Sequence, residues 1–293
     1  MKTATNTPAK KKQSRVITVV LILALIAGVC IVAYPSFSNY WNTFHQSRAV
    51  ASYAEAVAAM DPAEYDAIIE AAKQYNENLA ENGFLWNMTE EELAEYEKQL
   101  SVDDTGSMGD IDIPKIHITL PIYHGTDEAV LQIAIGHLAG TSLPIGGPDT
   151  HASVSGHRGL PSARLFTDLD KMAEGDTWTV NVLDRTFTYE VDQIRIVEPV
   201  DLTNLQLEEG KDYCTLITCT PYGINTHRLL VRGHRIPNAQ GDANTVADAL
   251  LIAPVYVAPF IAVPIIILTI ILVTLINKQR KRRKKFMLPV DIK

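Results

Sequence analysis

In the stretch TLITCTPYGINTHRLLVRGHR, residues 215–235, Cys219 is followed closely by two histidines and three arginines. A thiol becomes a useful nucleophile when a nearby cation favours its thiolate, and an imidazole can also carry a proton at neutral pH. His157, in HASVSGHRGLPSARLF, is the candidate general acid and base. Arg228 is the candidate group for holding a carbonyl oxygen as negative charge develops on it. Together these residue types suit attack of a thiolate on a carbonyl group, with the histidine protonating a leaving amine. Spacing alone leaves a second reading open, in which Cys219 packs as a small hydrophobe in a strand. His157, His124, His137, His151, His227 and His234 then read as surface or hydrogen-bonded imidazoles, and Arg228, Arg232 and Arg235 as a solvated or salt-bridged strand face. No close-spaced ligand pair supports a metal site among these histidines.

For the three candidates to meet, the chain must bring them to one rim of a sheet. Pro221 and Gly223 turn the strand that ends at Cys219, so the chain returns with Arg228 at the start of the neighbouring strand. His157 follows the alternating Ala152, Val154 and Gly156, and Gly159 and Pro161 turn the chain away. It therefore belongs to a strand end or loop, where chemistry is commonly sited. From Ile111 onward, short β-type runs separated by Gly and Pro predict an all-β barrel or sandwich: IDIPKIHITLPIYHG, HASVSGH, TWTVNVLDRTFTYEVDQIRIVEP, YCTLITC and THRLLVRGHRI.

Upstream, residues 47–80 predict two helices broken at Asp61-Pro62, and TEEELAEYEKQL (89–100) a third, with Thr89 and Glu92 forming a capping box. The segment ENGFLWNM between them reads as a loop with exposed Phe84 and Trp86. SVDDTGSMGD, residues 101–110, reads as a linker at a domain boundary. Its acids lack the ordered ligand ladder of a calcium loop.

The ends of the 293-residue chain set its environment. Val16 to Tyr34 is an uncharged run of membrane-spanning length behind Lys10, Lys11, Lys12 and Arg15. Ala249 to Asn277 is a second, followed by KQRKRRKK. Basic flanks on the outer side of both runs place the two termini in the cytoplasm and the middle outside. The first run also has the charged start and apolar centre of a cleaved signal peptide, but its length and lack of a small-residue cleavage site favour a retained anchor. Bulky Val29 argues against a lipoprotein cysteine at Cys30. Residues 16–277 hold 13 basic and 33 acidic residues, a formal charge of −20. That surface speaks against nucleic acid and draws amine-bearing partners. Of the three cysteines, only Cys214 and Cys219 lie outside the membrane runs. Five positions apart in one strand, they point to opposite faces, so no disulfide joins them and a free thiol is kept in an oxidising place.

TLITCTPYGINTHRLLVRGHR resembles the cysteine and arginine strands of sortases, the cell-wall transpeptidases of Gram-positive bacteria, and in particular the class C, pilin-assembling branch. GHLAGTSLPIGG, SGHRGLPSARLFTDLDKMAEGD and IPKIHITLPIYHGT look like the same branch, so the likeness covers most of residues 111–236. It implies a mainly β fold: a closed sortase-type β-barrel with short helices, preceded by an N-terminal helical segment and flanked by two transmembrane helices. The expected division is a basic tail (1–15), an anchor (16–34), an extracellular helical and lid segment (35–105), the catalytic barrel (106–240), a second membrane helix (249–277) and a basic tail (278–293). By resemblance, Cys219 matches the nucleophile, His157 the family histidine and Arg228 the family arginine. The implied reaction cleaves a Leu-Pro-x-Thr-Gly-like sorting signal between Thr and Gly and passes the acyl group to a lysine of another pilin subunit, with no cofactor or metal. Attachment of single surface proteins to a peptidoglycan-precursor amine, a tethered cysteine hydrolase, and an exported β-scaffold remain alternatives. One departure stands out. Class C sortases commonly carry an Asp-Pro-aromatic lid, whereas here FLWNM occupies that place and Asp61-Pro62 is followed by Ala63. Phe84 and Trp86 are the possible lid residues.

Overall fold

The computed structural model describes residues 8–102 and 106–238, with side chains from Val20 onward. The apolar run at 249–277 and the basic tail after it lie outside the described residues.

Eight strands among the described residues close into a barrel: β1 (Ser107–Ile113), β2 (Ile118–His124), β3 (Ile135–His137), β4 (Thr150–Ser155), β5 (Thr177–Val182), β6 (Arg185–Val197), β7 (Asp212–Thr220) and β8 (His227–Ile236). Their order around the barrel is β1-β2-β3-β4-β7-β8-β6-β5. Neighbours run antiparallel except β2–β3 and β4–β7, which are parallel. Alternation drives the closure, because apolar side chains recur at every second position along the longer strands and point inward. Ile111, Ile113, Ile122, Val154, Val180, Leu216 and Val231 are all at most 1% exposed. Burying each such side chain is worth roughly 1.5–3 kcal/mol.

The runs expected to be strands form strands, the first broken by a single turn at Pro114–Ile116, and two further strand segments were not expected. Three-residue β3 is too short to show alternation in the sequence. Residues 107–110, read as linker, open β1 instead: Met108 is fully buried, and Asp110 accepts a 2.8 Å hydrogen bond from Asn181 Nδ2. That stretch looks like a linker because Ser, Gly and Asp are turn residues, but a buried partner on the neighbouring strand satisfies the carboxylate.

Helices cover the outside of the barrel. The first, α1 (Pro8–Ala58), is continuous through Pro35 and joins the first apolar run to the region expected to hold a separate helix. Its stretch from Val20 is long and apolar enough to cross a membrane, with a mean hydropathy of 2.5 and no burial. Beyond that stretch it docks on the barrel. Gln46 Nε2 donates to Ile133 O at 2.6 Å, and Tyr53 OH bridges Met108 O and Leu183 N at 3.1 and 3.0 Å. The second helix, α2 (Pro62–Asn82), starts after Asp61, whose side chain caps Ala63 N. The third, α3 (Glu90–Tyr96), carries the expected capping box: Thr89 Oγ1 accepts from Glu92 N, and Glu92 accepts from Thr89 N. A one-turn helix, α4 (Glu128–Leu131), precedes β3.

Candidate active site

The face on which each candidate lies follows from strand parity. In β7 the even positions Cys214 and Leu216 join the barrel core, so the odd positions face outward, Ile217 among them. Cys219 shares that outer face. In β8 the odd positions Leu229 and Val231 are core, and Arg228 and Leu230 face outward. Cys219 and Arg228 are directly paired in the β7–β8 ladder. Directly opposed residues of a pair share one face, with Cβ atoms about 5 Å apart.

His157 reaches the same row from the other side of β7. The parallel β4–β7 register sets Ser155 beside Ile217, and the pairing continues past the formal end of β4. Gly156 N donates to Ile217 O at 3.0 Å, and Thr218 Oγ1 donates to Gly156 O at 2.7 Å. Two steps on from Ser155 and Ile217, the register sets His157 level with Cys219. His157, Cys219 and Arg228 thus form one row across three neighbouring strands, on the outer face of the barrel. The histidine side chain is 26% exposed. Its Nε2 lies 3.5 Å from Glu128 Oε2, an ion-pair distance, but it makes no hydrogen bond among the described residues. Glu128 itself is fully exposed. Its carboxyl is held below the usual range, first by a hydrogen bond from Gln132 and then by its proximity to His157.

The two cysteines have opposite environments. Cys214 is wholly buried, and burial pushes its thiol up to about 12, which makes it an inert core residue. Cys219 is half-buried beside Arg228, and both thiols are free. The guanidinium of Arg228 is held by carbonyls of its own turn, with Nη1 donating to His227 O at 3.2 Å and Asn225 O at 3.5 Å. The other basic residues of the stretch are occupied elsewhere. Arg232 pairs with Asp192 and Glu208 and lies over the Tyr213 ring, and Arg235 donates to Thr188 O and Asn238 Oδ1.

Arg158 is a residue that sequence reading passed over. Only 8% of its side chain is exposed. It donates to Thr167 O and to Thr220 Oγ1, both at 3.2 Å, pairs with Asp170 at 2.6 Å and lies over the Tyr222 ring. It therefore ties the loop after His157 to the loop after Cys219. The only hint in the sequence was its position beside His157. Gly159 makes that closeness possible, since φ is +83° and a Cβ there would stand 3.0 Å from Tyr222.

Phe84 and Trp86, expected to be exposed, are half-buried. Trp86 packs on the outer-face cluster of Leu205, Ile217 and Leu230, the same face that carries Cys219, and Phe84 meets it edge to face at 5.4 Å. Their segment is pinned where Leu85 N donates to Gly140 O at 3.1 Å, and Gly140 has no room for a side chain, because a Cβ would fall 2.2 Å from Leu85 O. The apolar cluster draws these aromatics down, and no local pattern in ENGFLWNM could have revealed it.

The Sortase domain profile matches residues 111–236, the span that forms the barrel from within β1 to the end of β8. The crystal structure of sortase C1 from Streptococcus agalactiae is 60% identical, with a TM-score of 0.64, and the match covers 65% of this chain and 99% of that one. The chain belongs to the sortase family. Its structural neighbours are class C sortases, and like other members of the family it is a cysteine transpeptidase. A Clostridium perfringens sortase C, whose structure was solved with the C-terminal cell wall sorting motif, is 38% identical at a TM-score of 0.59, over 66% of this chain and 100% of that one. Sortase D of Bacillus subtilis (strain 168) is 30% identical over 139 residues, 45% of this sortase and 66% of the relative.

Proposed function

We propose that this sortase is a membrane-anchored pilin polymerase. Cys219 attacks the carbonyl carbon of the Thr-Gly bond in a Leu-Pro-x-Thr-Gly-like sorting signal and forms a thioester, while the amine of the glycine leaves. His157 supplies the proton that the leaving amine needs, then accepts one from the incoming nucleophile. Arg228 holds the substrate and the oxygen on which charge develops. The lysine amine of another pilin subunit attacks the thioester, giving an isopeptide bond and returning the thiol. The observation that most supports this is the shared row of His157, Cys219 and Arg228 on an outer face partly covered by Trp86. The sorting motif bound in the Clostridium relative supports the substrate class.

In this reading Trp86, with Phe84, serves as the lid that the missing Asp-Pro-aromatic motif would otherwise supply. Residues 16–34 and 249–277 cross the membrane, both basic tails are cytoplasmic, and the barrel and helical segment are outside.

Purified sortase given pilin subunits bearing a sorting signal tests the reading. Cys219→Ala is expected to abolish covalent polymer, while Cys214→Ala, which alters only a core contact, retains it. Polymer formed by Cys219→Ala would overturn the nucleophile assignment. Linkage only to a cell-wall amine, or release of free acid with amine in excess, would overturn the pilin-lysine assignment.

A further inference from the structure

The loop between β7 and β8 holds two exposed apolar side chains, Tyr222 at 59% and Ile224 at 67%. Among soluble surfaces, scattered exposed apolar residues need no explanation. Here their position relative to α1 supplies one. Residues 16–34 account for about 28 Å of helix at 1.5 Å per residue, close to the hydrocarbon thickness of a bilayer. The residues just past Tyr34 then occupy the headgroup zone, roughly 5–8 Å deep on each side. Tyr34 and Phe37 project from this part of α1, each more than half exposed, as interfacial aromatics do.

The barrel is fastened to α1 from the outer edge of that zone onward. Asn39 Oδ1 accepts from Arg164 N at 2.9 Å, and Asn42 Nδ2 donates to Ser162 O at 2.8 Å. A cavity of about 370 Å³ is walled by Pro35, Ser36 and Asn39 on one side and by Leu160, Arg164 and Tyr222 on the other. Tyr222 therefore shares a cavity with Pro35, which is one residue, about 1.5 Å of helix, beyond the apolar run. Charge agrees with this placement. Residues 16–277 carry a formal −20, yet 219–235 contains three arginines and no acid.

We infer that the β7–β8 loop enters the membrane headgroup region, with Ile224 and Tyr222 inserted, so that the row holding Cys219 works at the bilayer surface. The inference rests on the anchor reading of residues 16–34.

The test uses the full-length protein in phosphatidylcholine–phosphatidylglycerol vesicles, with lipids brominated either near the carbonyl end or near the methyl end of the acyl chain. Tryptophan is placed at the loop by Ile224→Trp and in the span by Val32→Trp, and quenching is read in excess of the unsubstituted chain. The expected result is loss of about half the added Ile224→Trp emission with bromine near the carbonyl end and little with bromine near the methyl end. Val32→Trp is expected to be quenched as well. If Val32→Trp is quenched and Ile224→Trp is not, the loop inference is overturned and the anchor stands. If neither is quenched, the anchor reading fails and the inference fails with it.

Discussion

Arg228 carries a functional assignment without a large structural duty, and this makes the two separable. Its guanidinium is held by carbonyls of its own turn, whereas Arg232 two positions along the same face is locked to two carboxylates. Replacing Arg228 by alanine is expected to leave stability within about 0.5 kcal/mol, as for a surface site. Transpeptidation should fall by about 100- to 1,000-fold, as when one oxyanion donor is removed. Lysine should not restore it, because a point charge lacks the planar fork. Steady-state rates beside thermal melts decide the matter, and an active Arg228→Ala would refute the assignment. Arg158 predicts the reverse balance. It touches none of the proposed reacting groups but joins the loop after His157 to the end of β7 and the loop after Cys219. Arg158→Ala should therefore lower the melting temperature and the rate together, about tenfold for the latter through misplacement alone. A variant with a normal melt and a much lower rate would contradict a positioning role.

At the level of elements, Trp86 and its short segment form the part most open to direct test. The indole packs on Ile217 and Leu230, on the face that carries Cys219 and Arg228. Trp86→Ala should uncover that face and speed alkylation of Cys219 by a small thiol reagent several-fold, with Cys214, wholly buried, still unlabelled in the native state. An unchanged alkylation rate would mean that Trp86 does not guard the thiol. What the sequence disclosed at this level depended on how local the cause was. Strands β5 to β8 were legible from alternation, and α3 from Thr89 and Glu92, because period and capping are encoded within a few residues. The pairing of Cys219 with Arg228 was legible too, since a tight turn at Pro221 and Gly223 leaves few registers. The level alignment of His157 with Cys219 depends on the parallel β4–β7 ladder, across more than sixty residues of chain, so residue type and strand-end position named His157 as a partner but could not set its register. The descent of Trp86 onto β7 and β8, the strand at 107–110 and the bridging role of Arg158 were hidden for the same reason: each is fixed by partners distant in the chain.

For the molecule as a whole, three buried titratable groups give stability an unusual dependence on pH. His137 is enclosed between Tyr96 OH at 2.9 Å from Nδ1 and Ser142 O at 2.8 Å from Nε2, and burial lowers its pKa from 6.5 to about 4. His151, between Gln206 O and Thr215 Oγ1, is lowered to about 4 by the same cause. As pH falls below 6.5 the unfolded chain takes up protons at both histidines while the native state does not. Stability is lost until about pH 4, by on the order of 3 kcal/mol for each. Asp110 acts in the opposite sense. Burial raises its carboxyl from 3.8 to about 6, although Asn181 donates to it, so in this window the native state binds the proton and the unfolded chain does not. Acid therefore relieves a penalty that is fully present above pH 6, of similar size to one histidine. Asp110→Asn removes that penalty and keeps an acceptor for Asn181. The variant should be more stable than the parent at pH 7, and the gap should close as pH falls through 6 towards 4. Denaturant melts of both proteins across pH 4–8 measure this, and a gap that stayed constant or widened in acid would show that Asp110 is not a strained buried carboxylate.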